Sequence, residues 1–491
     1  MSSATPEQAP RPWWFWAWAI AVLPLVGFWT TGLFDLDEGF YGAVTAEMNR
    51  RGEWIVPFYN GAPWFEKPIL LYWVAKVTAS LFGSELGMRL PSVLAALGTL
   101  AWVASFVRRR AGDWAGILSM VVLGTSLLFA ALGRMMMTDM LLTFALTGCY
   151  LLFYDSLEGR PRLRWGAGAM LGVAVLAKGP VGGAIFLILA AWTYWREPTL
   201  RGGFRGGWLG AIIAFLIVTA SWYVPAYLRT GDVFVQQSLI EQNVGRFTGG
   251  DVAHTLTNPL AYLLYLPILL LGMLPWSLWI PVAAKRGWAS GPTARYLGAW
   301  ATAVVVLFSL SGAKLPNYIL PALPPLAMLV GMYYASTVKA ARVPRAVFMM
   351  SSWGVLVAIL LNVGVWWYYE RAPKPHKAVH DLARIARDSG ETVTVFRMSR
   401  QEEDRGTGTT DLRDTHHPSV VMIVDRVLVQ SDRLDDILDQ PMPIQVLTRE
   451  GRFRDDDLAE LDRRGLSLQD VTPPGTVHYR LYRIAPKVSG Q

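Results

Sequence analysis

Acid and base side chains gather in one segment between two apolar runs of the chain. The segment contains Asp35-Leu-Asp-Glu-Gly-Phe-Tyr41 and Phe65-Glu-Lys-Pro68, and the flanking runs end near residue 31 and begin near residue 87. Charges beside bilayer-crossing runs are costly and by default indicate a functional site. The alternative is a solvated loop with ordinary helix-capping acids. We assign Asp35 to that alternative and keep Asp37, Glu38, Glu66 and Lys67 as candidates.

Four more connections between apolar runs carry charged or polar residues. They contain, in order, Arg134 and Asp139; Lys178; Glu241, Asn243, Arg246 and His254; and Lys314 with Tyr318. Each of these connections has at least one basic residue. The orientation derived below places them on the non-cytoplasmic face of the membrane, where Lys and Arg are normally depleted. A single cation there is explained by snorkelling to the interface. Together, the cations predict an anionic ligand, and phosphate at the membrane surface is the obvious candidate.

These residue types suit one kind of group transfer. A carboxylate beside a cation cluster can act as a general base on an acceptor hydroxyl or amine. Displacement at a sugar anomeric carbon needs such a base and stabilisation of a departing phosphate. Glu66 and His254 can bind a divalent cation, although a lone loop His is more often a capping or surface residue. Glycine-rich phosphate loops and dinucleotide fingerprints are absent from the sequence, which favours a donor delivered by the membrane.

Composition indicates a polytopic membrane protein. Of the 491 residues, 53% are hydrophobic and 17% are charged, and 22 are Trp, which is too apolar for a soluble protein of this size. The net charge of +8 comes from short basic clusters between apolar runs, so we expect no nucleic-acid partner. The single cysteine, Cys149, excludes a disulfide framework and a cysteine-based metal site.

About eleven transmembrane helices are expected, since about 20 apolar residues cross a bilayer. The predicted spans are 13–33, 87–107, 114–133, 138–155, 165–177, 180–195, 208–228, 260–283, 294–311, 317–337 and 346–369. The fifth and sixth spans are short and meet at Lys178-Gly-Pro180. They are therefore expected either to tilt or to form one broken unit.

Basic clusters in alternate loops predict the orientation. The clusters are Arg108 to Arg110; Arg160, Arg162 and Arg164; Arg196, Arg201 and Arg205; Lys285 and Arg286; and Lys339, Arg342 and Arg345. Placing them in the cytoplasm puts the N-terminus inside and everything after the last span outside. We therefore expect a multi-pass membrane protein whose candidate residues all lie on the outer face.

The 34–86 loop is predicted to contain two interfacial amphipathic helices. Positions 42–51 place Val44 and Met48, followed by Trp54, on the membrane surface. Positions 68–82 have the same spacing, with an apolar side made by Leu70, Leu71, Trp73, Val74 and Val77. Helices of this kind would roof a cavity at the outer membrane boundary.

From about residue 373 the composition becomes that of a small soluble α/β domain. We place the boundary so that 1–371 form the transmembrane domain and 372–491 the C-terminal domain. Predicted strands lie at 392–396, 419–424, 444–448 and 478–484, and predicted helices at 378–389 and 455–464. Residues 397–415 are expected to be an exposed loop. This domain is interpreted as a lid or scaffold without a site.

Several motifs resemble those of a known family. They are Asp37-Glu-Gly-Phe-Tyr41 with Glu47-Met; Trp54-Ile-Val-Pro57; Asn60-Gly61; Phe65-Glu-Lys-Pro68; Arg89-Leu-Pro-Ser92; Arg134 with Thr138-Asp139; Ala177-Lys-Gly-Pro180; the Asn243, Arg246-Phe247 and His254 loop; Leu274-Pro-Trp276; and Ser311, Lys314-Leu-Pro and Tyr318. This pattern, over most of residues 30–330, resembles the aminoarabinose transferase (ArnT) and protein O-mannosyltransferase-like families, which are C-type integral-membrane glycosyltransferases. The combination of motifs in the first loop is the specific part.

The resemblance implies transfer of a sugar from a polyprenyl-phosphate carrier, undecaprenyl phosphate in bacteria, to an acceptor outside the cytoplasm. Asp37 is then similar to the catalytic base of an Asp-Glu motif, with Glu38 and Asp139 in the catalytic group. Glu66 and His254 resemble a pair that holds a metal ion such as zinc. The phosphate-binding set is Lys67, Arg134, Lys178, Arg246, Lys314 and Tyr318.

Three alternatives remain beside an envelope glycolipid or glycan acceptor such as lipid A. Within the same class, the acceptor is a protein, as in O-mannosyl transfer. A lipid or solute transporter also explains many spans, but transporters place charges near the midplane and show internal repeats. A structural or assembly factor leaves the acid-rich first loop unexplained.

Overall fold

The computed structural model describes residues 9–35, 37–245, 262–312, 314–337, 343–371, 376–398 and 417–487. The chain forms two compact units. Unit 1 consists of Met1–Phe28, Phe65–Thr78 and Arg89–Asn362, and unit 2 of Trp29–Trp64, Ala79–Met88 and Val363–Gln491. Each unit therefore consists of several separate segments of the chain. The first loop contributes residues to both units.

Helices make up most of the chain before the C-terminal domain. Their bounds are Arg11–Val22, Asp37–Arg50, Leu70–Phe82, Ser84–Ala111, Asp113–Gly124, Leu127–Gly133, Thr138–Leu157, Leu163–Lys178, Val181–Arg196, Leu209–Thr230, Asp232–Phe234, Tyr265–Gly272, Ile280–Ser290, Pro292–Leu310, Leu323–Thr337 and Val343–Arg371. The connections between them include 3-10 helices at Leu23–Leu25, Pro198–Phe204, Trp276–Trp279 and Pro316–Ala322 and a π-helix at Val235–Gly245. The predicted helical class of the membrane region is confirmed.

Within the described ranges, six helices are long and apolar enough to cross a membrane, and eight if each of two bent pairs is one span. Asp113–Gly124 and Leu127–Gly133 meet at 68°, and Tyr265–Gly272 and Trp276–Ser290 at 111°. The first predicted span begins with a helix of only 12 residues, Arg11–Val22. The number of spans, about eleven from the sequence, stays a prediction.

One tryptophan donates hydrogen bonds to backbone carbonyls at the breaks of both bent pairs. The Trp353 indole nitrogen donates hydrogen bonds to the carbonyls of Thr125 and Leu274, both at 3.1 Å. In addition, the Trp276 indole donates to the Thr125 hydroxyl at 3.0 Å. Broken helices at membrane depth are tolerated when neighbouring groups satisfy the freed backbone atoms. Here the neighbouring helix Val343–Arg371 does so for both breaks.

The two short predicted spans form separate helices. Leu163–Lys178 ends at Gly179, which has φ 79°, and Val181–Arg196 begins two residues later. The first of the two packs closely on Leu209–Thr230, because a β-carbon at Gly168 would collide with the Ala211 carbonyl. Small residues at such crossings let helix backbones approach. The helix that ends at Lys178 is therefore fixed by backbone packing along its length.

The C-terminal domain, in unit 2, contains a five-stranded sheet. Its strand order is Val429–Ser431, Thr392–Phe396, Ile444–Arg449, Tyr479–Pro486 and Leu466–Asp470. Thr392–Phe396 pairs in parallel with both of its neighbours, and the other two pairings are antiparallel. The helices are His376–Asp388, Ser419–Val424, Leu434–Leu438 and Asp455–Arg463. The core includes Phe396, Ile437, Ile444, Leu461 and Ile484.

Most predicted elements of this domain are confirmed, and one is wrong. The strands at 392–396, 444–448 and 478–484 and both predicted helices are present. Residues 419–424, however, form the helix Ser419–Val424, all of whose residues are buried. When every residue of a short run is apolar, the sequence shows neither the period of a strand nor that of a helix. Periodicity therefore could not decide between the two. The predicted 397–415 loop lies, from residue 399 onward, outside the described residues.

The first-loop helices are present, but one of their predicted faces is wrong. Asp37–Arg50 begins five residues earlier than predicted, and Val44 and Met48 are fully buried in the protein rather than on a membrane surface. Trp54, 48% exposed, fits the prediction better. After this helix, Phe58–Tyr59 and Ala62–Pro63 form a small hairpin. The Asn60 side chain there exchanges two hydrogen bonds with the backbone of Leu428, at 2.8 and 2.7 Å.

Candidate active site

A buried ion pair in unit 1 joins two predicted site residues. Asp139 lies in the first turn of Thr138–Leu157, and Lys178 is the last residue of Leu163–Lys178. The Lys178 ammonium donates to Asp139 Oδ1, and their side chains are only 11% and 2% exposed. Each charge complements the dipole of its own helix end. The Asn317 amide donates to the second carboxylate oxygen at 2.9 Å.

Tyr318 lies against the same lysine. The Lys178 Nζ atom is 4.4 Å from the centroid of the Tyr318 ring. Tyr318 is buried in the 3-10 helix Pro316–Ala322, and its ring packs on Phe308 with centroids 5.2 Å apart. A cation over an aromatic face is stabilised by the ring quadrupole. The carboxylate and the ring therefore hold the ammonium from two sides.

Lys314 is a second buried cation nearby in the chain. It donates to the carbonyl oxygens of Ser309 and Ser311, at 2.8 and 2.6 Å, just where Pro292–Leu310 ends. These carbonyls lack intrahelical donors, and a lysine at a helix C-terminus is a common partner for them. Burial lowers the pKa of Lys314 from its ordinary value. The Tyr265 hydroxyl donates to the next carbonyl, that of Leu315, at 3.1 Å.

Three predicted outer-face connections thus meet at one end of the helices of unit 1. At the other end of Thr138–Leu157, Asp155 pairs with Arg109 at 3.0 Å and also with Arg110. Predicted cytoplasmic arginines therefore collect away from Asp139, Lys178 and Tyr318. The orientation of the chain in the membrane stays a prediction from charge.

Glu66 and Lys67 pair with each other. Their side chains are 2.6 Å apart and are 20% and 9% exposed. The preceding backbone amide, of Phe65, donates to the Gln237 side chain at 3.3 Å. Glu66 thus offers an oxygen ligand of the type that a divalent metal takes. Its predicted partner His254, and Arg246 of the phosphate set, lie outside the described residues.

Asp37 and Glu38 belong to unit 2 and begin the helix Asp37–Arg50. Glu38 is 1% exposed, and its carboxylate accepts from the backbone N–H of Phe34 at 2.9 Å. Asp37, in contrast, is exposed in the described structure. The two acids therefore differ in burial: Glu38 is buried and holds the start of the helix, whereas Asp37 is exposed.

Arg134 lies in unit 1 and is buried. Its guanidinium donates to Asn362 Oδ1 at 2.9 Å and to the Pro24 carbonyl at 3.4 Å. These contacts join Arg134 to two other helical segments, Leu23–Leu25 and Val343–Arg371. They give Arg134 a positioning role in this structure, and its place in the phosphate set stays a prediction.

Sequence reasoning missed the partners of two aspartates. Asn317 binds Asp139, and the only signal for it is its place in the Lys314-Leu-Pro-Asn-Tyr318 motif. Asp35, assigned to a solvated loop, has a side chain only 1% exposed. Its carboxylate accepts from the Ser419 amide at 2.9 Å and the Ser419 hydroxyl at 2.7 Å. The solvated interpretation of Asp35 is therefore wrong.

Asp35 is the centre of a chain of hydrogen bonds in unit 2. His417 Nδ1 is 3.2 Å from Asp35 Oδ2, and Tyr479 is 3.0 Å from His417 Nε2. On the other side, His380 lies 2.9 Å from the Ser419 hydroxyl. Burial would raise the pKa of Asp35, but the side chains of His376 and His417 beside its carboxylate outweigh that effect and hold the pKa well below its usual range. Burial lowers the pKa of His380 to about 4.

The chain is similar to proteins that are named as sugar transferases. Residues 66–223 match the family model described as dolichyl-phosphate-mannose-protein mannosyltransferase. The undecaprenyl phosphate-α-4-amino-4-deoxy-L-arabinose arabinosyl transferase 1 of Pseudomonas fluorescens is 30% identical over 325 residues, covering 63% of this chain and 55% of that protein. The transferase of the same name from Shewanella sediminis is 32% identical over 311 residues, covering 61% and 56%. The matched region thus spans little more than half of each relative.

Solved structures match nearly the whole chain. ArnT from Cupriavidus metallidurans, bound to undecaprenyl phosphate, superposes with a TM-score of 0.75 at 19% identity, covering 98% of this chain and 99% of that one. The archaeal oligosaccharyltransferase AglB from Archaeoglobus fulgidus gives a TM-score of 0.52 at 12% identity, covering 98% and 75%. The predicted resemblance is confirmed: this chain is similar in sequence to the aminoarabinose transferases and shares the fold of the solved ArnT structure.

Proposed function

We propose that this protein is an inverting glycosyltransferase that uses an undecaprenyl-phosphate-linked sugar. The observation that carries the proposal is the meeting of Asp139, Lys178 and Tyr318 at one end of unit 1, with Lys314 close by in the chain. A buried ammonium between a carboxylate and an aromatic ring is suited to an anion that arrives from the bilayer. The likeness to an ArnT structure bound to undecaprenyl phosphate supports this choice of donor.

The phosphate leaves and the acceptor attacks in one displacement. The acceptor oxygen or nitrogen forms a bond to the anomeric carbon while the bond from that carbon to the phosphate oxygen breaks. Asp37 takes the acceptor proton, and undecaprenyl phosphate departs with the bonding electron pair. Lys67, Lys178 and Lys314 stabilise the charge that grows on that phosphate. Attack opposite the leaving group inverts the anomeric configuration.

Two further groups complete the proposed anion site. Tyr318 contributes its ring to Lys178, and Arg246 contributes a guanidinium suited to bidentate phosphate binding. Glu66 and His254 would hold a divalent metal, zinc or similar, which supplies Lewis-acid stabilisation of a phosphate when bound. Asp139 holds the Lys178 side chain in position before the donor arrives.

The proposed acceptor is lipid A or another envelope glycolipid or glycan on the outer face of the inner membrane. The names of the relatives support an aminoarabinose donor. We infer a cytoplasmic N-terminus and an extracytoplasmic C-terminal domain from the alternating basic loops. In this orientation the donor sugar and the acceptor both reach the site from the same leaflet.

Purified full-length protein in detergent or nanodiscs tests this function. A panel of undecaprenyl-phosphate sugars is incubated with lipid A, and transfer is followed by mass spectrometry. We expect transfer of 4-amino-4-deoxy-arabinose and a loss of at least about 100-fold in Asp37→Asn, the size typical of a general base. Asp388→Asn, an exposed acid of unit 2, is the matched control. Near wild-type turnover by Asp37→Asn contradicts the base assignment.

A protein acceptor is the second candidate, favoured by the protein mannosyltransferase model matched over residues 66–223. Adding Ser- and Thr-containing peptides to the same assay separates the two. Transfer to peptide but not to lipid A selects the second candidate. Absence of transfer from every undecaprenyl-phosphate sugar to either acceptor contradicts both.

A further inference from the structure

Unit 2 contains a second cluster of metal-ligating side chains. Asp35, His376 and His417 each offer one ligand atom, and the three atoms lie within 4.8 Å of one another. Asp35 Oδ2 is 3.2 Å from His417 Nδ1 and 3.8 Å from His376 Nδ1. The three side chains are 1%, 9% and 12% exposed. The cluster is therefore compact and almost closed to solvent.

We propose that Asp35, His376 and His417 bind a divalent transition metal, with zinc the best match. One carboxylate oxygen and two imidazole nitrogens form a donor set that zinc commonly takes. Ligand atoms about 2.0 Å from a tetrahedral zinc are about 3.3 Å from each other. The two measured separations, 3.2 and 3.8 Å, are close to that value. Three protein ligands leave a fourth position for water.

An unsatisfied atom supports the same site. His376 Nδ1 is buried and has no hydrogen-bond partner among the described residues. A buried polar atom left in that state costs about 1–3 kcal/mol, so its presence needs an explanation. A metal ion beside Asp35 Oδ2 would supply the missing partner. A network of hydrogen bonds alone leaves this atom unexplained.

The outer contacts of the cluster are those that support metal ligands. His417 Nε2 lies 3.0 Å from the Tyr479 hydroxyl, so a proton on Nε2 leaves the Nδ1 lone pair free for the metal. Asp35 accepts from the backbone and the hydroxyl of Ser419, which orients its carboxylate. Ligating carboxylates and imidazoles are normally held by such second contacts.

The consequence is a cross-link between distant parts of the chain. The ligands come from residue 35, from the start of His376–Asp388, and from the residue before Pro418. Metal binding to the folded state alone stabilises that state. The proposed site is separate from the Glu66 and His254 pair and does not depend on the transferase activity.

Zinc analysis of the full chain tests the proposal. The His254→Gln chain, which lacks one ligand of the Glu66 and His254 pair but keeps this cluster intact, is stripped with chelator and titrated with zinc. We expect one bound zinc per chain and a rise in the unfolding temperature Tm on loading. A His254→Gln chain that folds and binds no zinc overturns the proposal without any change to the cluster.

Adding His376→Gln or Asp35→Asn to that background should weaken zinc binding at least about tenfold. His478→Gln, which removes an exposed histidine of the same unit, is the matched control and should bind zinc as before. Cobalt loading of the intact cluster gives a second readout, the visible absorption of four-coordinate Co²⁺, that does not depend on how well a variant folds. Zinc content unchanged by His376→Gln, or cobalt without that absorption, contradicts the assignment.

Discussion

Two buried aspartates, Asp139 in unit 1 and Asp35 in unit 2, are compensated in different ways. Asp139 faces a full positive charge on Lys178 and one amide, that of Asn317. Asp35 faces a backbone amide and a hydroxyl, both of Ser419, and the imidazole of His417. A lysine can turn from its carboxylate to an arriving phosphate, because both partners are single anions. A carboxylate held by short contacts from several sides stays where it is. The first arrangement suits a site that binds an arriving anion. The second suits a carboxylate whose position does not change.

The largest expected effect is that of Asp139→Asn. It leaves the Lys178 ammonium buried without its counter-charge, and such changes cost about 3–5 kcal/mol. Denaturant unfolding of the detergent-solubilised chain measures the loss. The double variant Asp139→Asn with Lys178→Met should recover most of it. The exposed pair Arg387 and Asp388 is the control, and Asp388→Asn should cost less than about 1 kcal/mol. Simple addition of the two single losses would show that the pair is not coupled.

Asp35→Asn should have a smaller effect on the free energy of unfolding. The amide keeps one acceptor oxygen but places an NH₂ group against a donor from Ser419 or His417, which costs about 1–3 kcal/mol. The measurement is made in chelator, so that any bound metal does not contribute. Asp381→Asn, on an exposed acid of the same unit, is the comparison. A loss as large as that of Asp139→Asn would remove the distinction between the two aspartates.

Replacing Tyr318 tests how the charge of Lys178 is shared between Asp139 and the ring. Tyr318→Leu removes the cation–π contact, worth about 0.5–2 kcal/mol, and should raise KM for the lipid donor roughly tenfold. Tyr318→Phe keeps the ring against Lys178 and Phe308 and should change KM less. Equal effects of the two substitutions would assign the role to the hydroxyl instead of the ring.

The smallest expected effect is a shift in pH dependence. Burial lowers the pKa of Lys314 below its ordinary value of 10.5, and the phosphate site needs the charged form. Transfer should therefore fall as pH rises through this lowered pKa. Lys314→Arg keeps its charge at higher pH and should move the alkaline fall in rate upward. An unchanged profile would show that Lys314 does not set it.

Charge placement explains what could be predicted of the site. Lysines on the outer face oppose the usual bias, so Lys178 and Lys314 were identifiable from their loops, and the structure brings Lys178 onto Asp139 and Tyr318. Asn317 is uncharged, so its presence on the outer face does not oppose the charge bias. Its hydrogen bond to Asp139 was therefore not predictable from the sequence. The Asp35 cluster was missed because its members are far apart in sequence and each is unremarkable in its own segment.

Local pattern explains what could be predicted of the fold. Alternating strands such as Thr392–Phe396 and the amphipathic helix Asp455–Arg463 are visible in sequence and are confirmed. The helix Ser419–Val424 was predicted as a strand because burial on all sides removes any period. Val44 and Met48 have the spacing of an interfacial helix, but the partner that buries them comes from elsewhere in the chain.

The two hydrogen bonds between Asn60 and Leu428 have a consequence for biosynthesis. The two residues are 368 positions apart in sequence. At synthesis rates of ~5–20 residues per second, roughly 20 to 70 s pass between the synthesis of Asn60 and that of Leu428. During that interval the helix Asp37–Arg50 lacks the contacts with Ser419–Val424 that it makes in the finished fold. The nascent chain therefore depends on the insertion machinery, the membrane or a chaperone until its last quarter has been made.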